Sequence, residues 1–163
     1  MRKLVTILSG IPGSGKSSWA RLALEKTHAD PDMGFAAVCS ADAYFMSSGV
    51  YKFDKTKLGD AHALCLAGYT RRVLDVLPGV FDKHLIVDNT NTTALEIAPY
   101  AALALAFGWG LEIVTFKCAP ELGAARNVHG VSLKTCKDMS ERIARRRLPE
   151  RWARYERVIE VRE

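Results

Sequence analysis

Near its start the chain reads Gly10-Ile11-Pro12-Gly13-Ser14-Gly15-Lys16-Ser17, which matches the pattern G-x-x-x-x-G-K-[ST] at every position. An apolar run at 4–8 precedes this octapeptide, and the residues from Ser17 to Leu24 can continue it as a helix. Glycines allow backbone N–H groups to converge on an anion, and a helix N-terminus adds a positive partial charge behind them. A glycine-rich turn alone would explain the glycines but not the Lys-Ser pair. The pattern therefore predicts a site for a nucleoside triphosphate.

Two side chains of this loop match the chemistry of a bound triphosphate. Lys16 would reach the β- and γ-phosphates, and the hydroxyl of Ser17 would hold Mg²⁺. ATP and Mg²⁺ are therefore the expected cofactors. The loop residues expected to bind the nucleotide are Gly10, Ile11, Pro12, Gly13, Ser14, Gly15, Lys16, Ser17 and Ser18.

The composition is that of an ordinary globular protein. The 163 residues suggest a single domain over 1–163, with 48% hydrophobic and 25% charged residues. There is no uninterrupted apolar run of about 18 residues, and the chain enters a strand directly without a signal peptide. The cysteines at 39, 65, 118 and 136 form neither a C-x-x-C pair nor a zinc spacing. We therefore expect a cytoplasmic protein with reduced, buried thiols and no membrane contact.

Positive charge is concentrated in the last part of the chain. The net charge is +5, and residues 134–163 carry ten Lys or Arg against six Asp or Glu. Such a segment suits a polyanion, either the triphosphate or a nucleic-acid backbone. The alternative is a solvated helix face with ion pairs four residues apart, for instance Glu141 with Arg145. Charge alone does not decide between these two interpretations.

Strand and helix patterns alternate along the chain. Strands are predicted at 4–8, 35–39, 85–87 and 111–116, with a possible last strand at 157–161, and a turn at 30–34. Helices are predicted from 17, over 56–77 before Pro78-Gly79, from the capping box of Thr93 and Glu96 to about 107, over 121–127, and from 132 to about 147. This alternation predicts an α/β fold: a parallel sheet of four to five strands flanked by helices, as in nucleoside-kinase-like P-loop NTPases, with a short basic lid at about 121–147.

Three strand ends are expected to meet at one crevice, because ligands bind beyond the carboxyl ends of parallel strands. Asp42 follows the second strand and is placed to act as a general base toward an acceptor hydroxyl. Asp88 follows the third strand and could bind Mg²⁺ with Ser17. Either carboxylate could instead cap a turn, and the residues of Asp88-Asn89-Thr90-Asn91 in particular are typical of turns.

The kind of phosphate chemistry follows from what the chain lacks. It contains no N-K-x-D motif for reading guanine, and it is shorter than a typical motor or an AAA+ module with its lid domain. A small kinase remains, and such an enzyme needs a base, an acid that organises Mg²⁺ and cations near the transferred group.

Several aromatic residues and two histidines are weaker candidates for the site. The aromatic residues that could stack on a nucleobase, or could equally be local core, are Trp19, Tyr44, Phe45, Tyr51 and Phe53. His129 lies in a loop and His62 in the middle of a predicted helix, so neither is a strong candidate for chemistry.

These motifs resemble two related families. The run from Gly10 to Ala20 is similar to the P-loop of the kinase domain of phage polynucleotide kinases, and 40–44 lies where that family has its acceptor-activating Asp. The chain is still more similar to small ATP-binding P-loop proteins related to the kinase-like module of NEDD4-binding protein 2. The segments that carry this second resemblance are Tyr51-Lys52-Phe53-Asp54, Ala61-His62, Asp88-Asn89-Thr90-Asn91 and Arg126-Asn127-Val128-His129-Gly130-Val131.

The resemblance implies ATP-dependent phosphorylation of a 5′-hydroxyl on DNA or RNA. Asp42 would be the base, Lys16, Ser17 and Arg126 the phosphate clamp, and Asp88 a metal-binding or structural acid. The nucleic-acid 5′ end would be the partner of the basic lid and C-terminal segment.

Two positions depart from the phage pattern, where Phe45 and His129 stand in place of arginines. Arg142, Arg145, Arg146 or Arg147 could supply the missing charge. Two alternative functions therefore stay open: a kinase of a small-molecule hydroxyl, such as a nucleoside, sugar or antibiotic, and an ATP-binding module without transfer activity.

Overall fold

A computed structural model of the chain describes residues 3–29, 35–47, 50–74 and 82–162. Its main sheet has five parallel strands in the order β2-β5-β1-β6-β7. These strands are β1 (Leu4–Gly10), β2 (Phe35–Cys39), β5 (Asp82–Asp88), β6 (Gly110–Lys117) and β7 (Glu156–Glu160). Two further strands, β3 (Met46–Ser47) and β4 (Val50–Tyr51), form a short antiparallel pair beside the sheet.

Helices connect the strands and cover both faces of the sheet. They are α1 (Lys16–Ala29), α2 (Leu58–Val73), α3 (Ala94–Ala106), α4 (Pro120–Arg126), α5 (Leu133–Arg145) and α6 (Glu150–Ala153). Tight 3-10 turns occupy Ala41–Phe45 and Lys55–Lys57. The predicted fold class, a parallel sheet flanked by helices in a kinase-like P-loop NTPase, is confirmed.

The central strand β1 is apolar because it is covered on both faces. Val5 and Ile7 belong to the core on the side of α2 and α3, whereas Leu8 packs on the other face with Ala20 of α1. All three strand residues have no exposed surface. Parallel strands with both faces buried are expected to be continuously hydrophobic, and this explains the run that precedes the octapeptide.

Most element boundaries lie within two or three residues of the prediction. The α3 capping box is present: Thr93 Oγ1 accepts from Glu96 N at 3.3 Å and Glu96 Oε2 accepts from Thr93 N at 2.9 Å. The helix predicted from 56 begins at Leu58 instead, because Asp54 Oδ1 accepts from Thr56 N at 2.9 Å and holds the preceding residues in a 3-10 turn. The predicted turn at 30–34 and the helix stop at Pro78-Gly79 lie outside the described residues.

The prediction of buried thiols is confirmed. All four cysteines are buried free thiols. In the part of the chain that the structure describes, no helix is both long and apolar enough to cross a membrane.

Candidate active site

The loop at 10–17, hereafter the P-loop, joins the end of β1 to the start of α1. Gly13 and Gly15 adopt left-handed backbone conformations, with φ of 76° and 90°, which side chains with a Cβ rarely tolerate. Gly13 is also pressed against α4: a Cβ on it would lie 2.1 Å from the carbonyl oxygen of Gly123. Both glycines are therefore required by the turn, and Gly13 also by the close packing of the P-loop on α4.

Lys16 is the one charged residue of the P-loop, and it is buried. Its side chain reaches back over the loop, and Nζ donates to the carbonyl oxygen of Ile11 at 2.9 Å. Burial lowers the pKa of Lys16 to about 8, and the nearby carboxylates of Asp88 and Asp42 oppose this shift only in part. An ammonium held this way has few competing partners, so a phosphate group would gain a strong interaction with it.

Asp88 lies beside the P-loop because β5 pairs with β1 in the register Leu8↔Asp88. Its carboxylate is buried, and the side chain of Ser17 lies beside it. Burial raises the pKa of Asp88, while the hydroxyl of Ser17 and the charge of Lys16 act in the opposite direction. The two residues predicted to hold Mg²⁺ thus lie next to each other.

This pair of oxygen ligands fits a magnesium ion that arrives with its nucleotide. Mg²⁺ prefers octahedral oxygen ligands and usually keeps waters, taking one or two protein oxygens and completing its shell from substrate phosphates. Among the described residues no group of three or more His, Cys, Asp or Glu could hold a metal by itself. The donor set supports the Ser17–Asp88 prediction rather than an independent metal centre.

Asp42 lies in the 3-10 turn that follows β2, and its position is fixed from two sides. Ser40 Oγ accepts from Asp42 N at 3.2 Å, and Asn89 Oδ1 accepts from Ala41 N at 2.9 Å. Because Asn89 directly follows β5, it ties the turn to the same sheet edge that carries Asp88. The sequence predicted that the ends of the strands now labelled β2 and β5 meet at one crevice, and this is confirmed.

Two aromatic residues face the Asp42 carboxylate. Tyr51 donates its hydroxyl to Asp42 Oδ1 at 3.1 Å, and His129 Nε2 lies 3.8 Å from Asp42 Oδ2. Burial, together with the charge and hydrogen bond of Asp42, raises the pKa of Tyr51 to about 12. The rings of Tyr51 and His129 pack at 4.6 Å. The sequence predicted neither contact; the Tyr51-Lys52-Phe53-Asp54 motif was the available signal.

Arg126 ends α4 on the opposite side of the P-loop. Its side chain is exposed, and both terminal nitrogens lie 3.5 Å from the carbonyl oxygen of Arg162. Among the described residues this carbonyl is the one hydrogen-bond partner of the guanidinium, and a guanidinium bonded to a neutral carbonyl can turn toward a phosphate at small cost.

Lys16, Asp42 and Arg126 line one cleft of about 400 Å³, whereas Asp88 is not part of its lining. The lining residues are Pro12, Gly13, Gly15, Lys16, Ser17, Ser18, Asp42, Thr90, Arg126, Asn127, Val128 and His129. Of the predicted nucleotide-binding residues, Gly10, Ile11 and Ser14 lie behind this surface. Ile11 is buried with Cys118 and Cys136, and the Ser14 hydroxyl is buried without a hydrogen-bond partner among the described residues. The side chain of Ile11 therefore supports the loop from below, and any contact of Ile11 with a nucleotide would be through its backbone.

The loop after β5 is fixed by Asn91 and by a distant arginine. Asn91, with φ of 42°, donates from Nδ2 to Leu8 O at 2.7 Å. The side chain of Arg146 is only 3% exposed. It donates to Asn91 O at 3.0 Å, to Thr115 Oγ1 at 2.8 Å and to Ser9 Oγ. It also forms an ion pair with Glu156. The idea that Arg146 supplies charge to the phosphate site was therefore wrong, because its donors are used inside the protein.

Most charges recorded on α5 are paired on its surface. Lys134 pairs with Asp138, Lys137 with Glu121, and Arg145 with Glu141, at 3.7, 3.2 and 3.4 Å. The Glu141–Arg145 pair was the alternative interpretation of this segment, and it is present.

The fold and this cleft define a kinase-like P-loop nucleotide-binding domain. The chain belongs to the family described as AAA domain, whose model matches residues 5–129.

Two curated proteins are similar to the chain. NEDD4-binding protein 2 of Homo sapiens is 34% identical over 149 residues, covering 87% of this chain and 8% of that protein. The 2′,3′-cyclic-nucleotide 3′-phosphodiesterase of Mus musculus is 33% identical over 127 residues, covering 76% of this chain and 26% of that protein. The resemblance to the NEDD4-binding protein 2 group is confirmed, and the chain spans only 8% of that protein and 26% of the phosphodiesterase.

Solved structures share the fold at low identity. The Pnkp1/Rnl/Hen1 complex matches with TM-score 0.57 at 18% identity, over 80% of this chain and 41% of that one. A gluconokinase from Sinorhizobium meliloti 1021 matches with TM-score 0.56 at 19% identity, over 98% and 83%. Mycobacterium tuberculosis APS kinase, solved with AMPPNP and APS, matches with TM-score 0.57 at 20% identity, over 79% and 70%.

The lowered pKa of Lys16 predicts how nucleotide affinity depends on pH. A bound triphosphate favours the ammonium form, so the complex binds more protons than the free protein above pH 8. Affinity for an ATP analogue should therefore fall as pH rises through about 8, by up to about tenfold per pH unit. Titration calorimetry from pH 7 to 9.5 measures this slope. In the Lys16→Arg variant the cation does not titrate, and a slope equal to that of the wild type would contradict the assignment.

Proposed function

We propose that this domain transfers the γ-phosphoryl group of ATP to the 5′-hydroxyl end of a polynucleotide, DNA or RNA. Asp42 takes the proton of the acceptor hydroxyl while that oxygen forms a bond to the γ-phosphorus. The bond from the γ-phosphorus to the bridging oxygen breaks, and ADP leaves. Lys16 and Arg126 neutralise charge on the transferred group, and Ser17 and Asp88 would hold Mg²⁺.

The observation that carries this proposal is the position of Asp42. Its carboxylate borders the same cleft as Lys16 and Arg126, and 55% of its side chain is exposed. The charges of Asp42 and Asp88 both act on Lys16, so the three groups are close enough to act on one phosphate chain. A base at the mouth of a phosphate cleft can take a proton from a hydroxyl that approaches from solvent.

The acceptor side favours a large acceptor over a small one. Phe45 is only 4% exposed, and its ring packs against Phe53 at 5.1 Å and against Tyr51 at 6.1 Å. These rings pack on one another, and none of them lines the cleft. An open carboxylate next to filled space suits the end of a long molecule whose remainder stays outside.

A second candidate is a kinase of a small-molecule hydroxyl. It is favoured by Phe45 and His129, which put aromatic rings where phage polynucleotide kinases have arginines. A substrate without its own phosphates would not need these cations.

The test is transfer of labelled phosphate from [γ-³²P]ATP. We expect label on a single-stranded oligonucleotide with a 5′-hydroxyl and none on the same oligonucleotide with a 5′-phosphate. A panel of nucleosides, sugars and aminoglycosides is assayed in parallel at equal hydroxyl concentration. If a member of the panel becomes labelled and the oligonucleotide does not, the result would support the second candidate and refute the first.

A further inference from the structure

Phe45 organises an aromatic cluster beside the cleft. In addition to Tyr51 and Phe53, the ring of Tyr44 packs on it at 5.2 Å in an edge-to-face arrangement. Phe45 is buried, and the three other rings pack around it. The departure from the phage pattern at this residue thus has a structural reason: Phe45 is the centre of the cluster.

Two rings of the cluster remain open to solvent. Tyr44 is 39% exposed and Phe53 is 53% exposed, although both are anchored on one buried ring. Exposed aromatic rings with restricted motion are the surfaces on which unpaired bases stack, at a low cost in conformational entropy.

Cations lie next to these rings. Lys52 and Lys55 are exposed on either side of Phe53 and Asp54, and within the described part of the chain neither forms an ion pair. The one acid between them is engaged locally, since Asp54 Oδ1 accepts from both the backbone N and the hydroxyl of Thr56. The segment therefore presents two positive charges and one negative charge to solvent.

The cluster is continuous with the proposed base. Tyr51 contacts Phe45 on one side, and on the other its hydroxyl donates to Asp42. A strand whose terminal hydroxyl reaches Asp42 has this surface next to it, on the side of Tyr51. The helix α5 belongs to the basic lid that the sequence analysis expected to meet the nucleic acid. It offers a poorer surface than the cluster, because Lys134, Lys137 and Arg145 are in ion pairs.

We propose that Tyr44, Lys52, Phe53 and Lys55 form an acceptor platform that binds the first nucleotides of a single-stranded polynucleotide. Bases stack on Tyr44 and Phe53, and backbone phosphates meet the two lysines. This inference rests on the proposed function and adds to it where the acceptor strand lies and that this strand is unpaired.

The test is binding, which requires no phosphoryl transfer. Fluorescence anisotropy measures the Kd of the full chain for a 5′-hydroxyl single-stranded 12-mer that carries a dye at its 3′ end. Tyr44→Ala and Phe53→Ala should each weaken binding about tenfold. Phe107→Ala removes a ring that is 52% exposed outside the cleft, and it should leave Kd unchanged. Thermal melts check that each variant is folded.

A charge series tests the same surface without touching the rings. Lys52→Gln with Lys55→Gln should reduce the slope of log Kd against log salt by about 1.4, since each phosphate contact on a single strand contributes about 0.7. The matched control, Lys134→Gln with Lys137→Gln on α5, removes the same charge and should leave the slope unchanged.

The outcomes separate this inference from the proposed function. Three results would overturn the platform, even if the wild type transfers phosphate. They are unchanged affinity in the platform variants, a slope change that is larger in the α5 control than in the Lys52 and Lys55 variant, and no binding of the 12-mer. Platform-dependent binding by a wild-type protein that transfers no phosphate would support the platform and refute the kinase.

Discussion

Replacing Asp42 by Asn should lower the rate of phosphoryl transfer by about 10²- to 10⁴-fold, the usual contribution of a general base. The amide keeps the size of the side chain and can still accept from the Tyr51 hydroxyl, which lies 3.1 Å from Oδ1 in the wild type. It has no capacity to take the acceptor's proton. Single-turnover measurements with saturating ATP and oligonucleotide isolate this step from binding.

Nucleotide affinity provides the control for this variant. Lys16 interacts with Asp88 more strongly than with Asp42, so the Asn variant should bind an ATP analogue within a few fold of the wild type. Full transfer activity in this variant would remove Asp42 as the base. Loss of nucleotide binding together with activity would show that Asp42 supports the P-loop instead.

The second large effect is expected on stability. Replacing Arg146 by Met should lower the free energy of unfolding by about 3 kcal/mol, because it breaks a buried ion pair and leaves several polar groups without a partner. Ser9 of β1, Thr115 of β6 and Glu156 of β7 all lose their contact with the same guanidinium. For a domain of this size the melting temperature should fall by roughly 6–12 °C.

The adjacent residue is a matched control. The side chain of Arg145 is 82% exposed, and its pair with Glu141 at 3.4 Å is of the kind that contributes little. Arg145→Met should therefore change stability by less than about 0.5 kcal/mol. Similar melting temperatures for the two variants would show that Arg146 does not hold the sheet and the β5 loop together.

The sequence predicts the fold of this chain well because its signals are local. The apolar strand, the octapeptide and the capping box of Thr93 and Glu96 each depend on neighbours within a few residues. The register of β1 with β5 then brings Ser17 and Asp88 together, as parallel topology requires.

Contacts between distant segments could not be read in the same way. Arg146 bonds to Ser9 across 137 positions, and nothing in the triplet Arg145-Arg146-Arg147 distinguishes the buried member from its exposed neighbours. Phe45 is a similar case. It stands where phage kinases have an arginine, so the sequence suggested only the loss of a positive charge. Its packing shows instead a ring at the centre of a cluster. In both cases burial, which is a tertiary property, decides the role of the residue.

The central claim is that the cleft lined by the P-loop, Asp42 and Arg126 binds a nucleoside triphosphate with its magnesium ion. Titration calorimetry of the full chain with a non-hydrolysable ATP analogue, with and without Mg²⁺, tests it most directly. We predict one saturable site whose affinity depends on Mg²⁺ and falls sharply in the Lys16→Ala variant. Equal affinity without the metal and in that variant, or no binding at all, would contradict the claim.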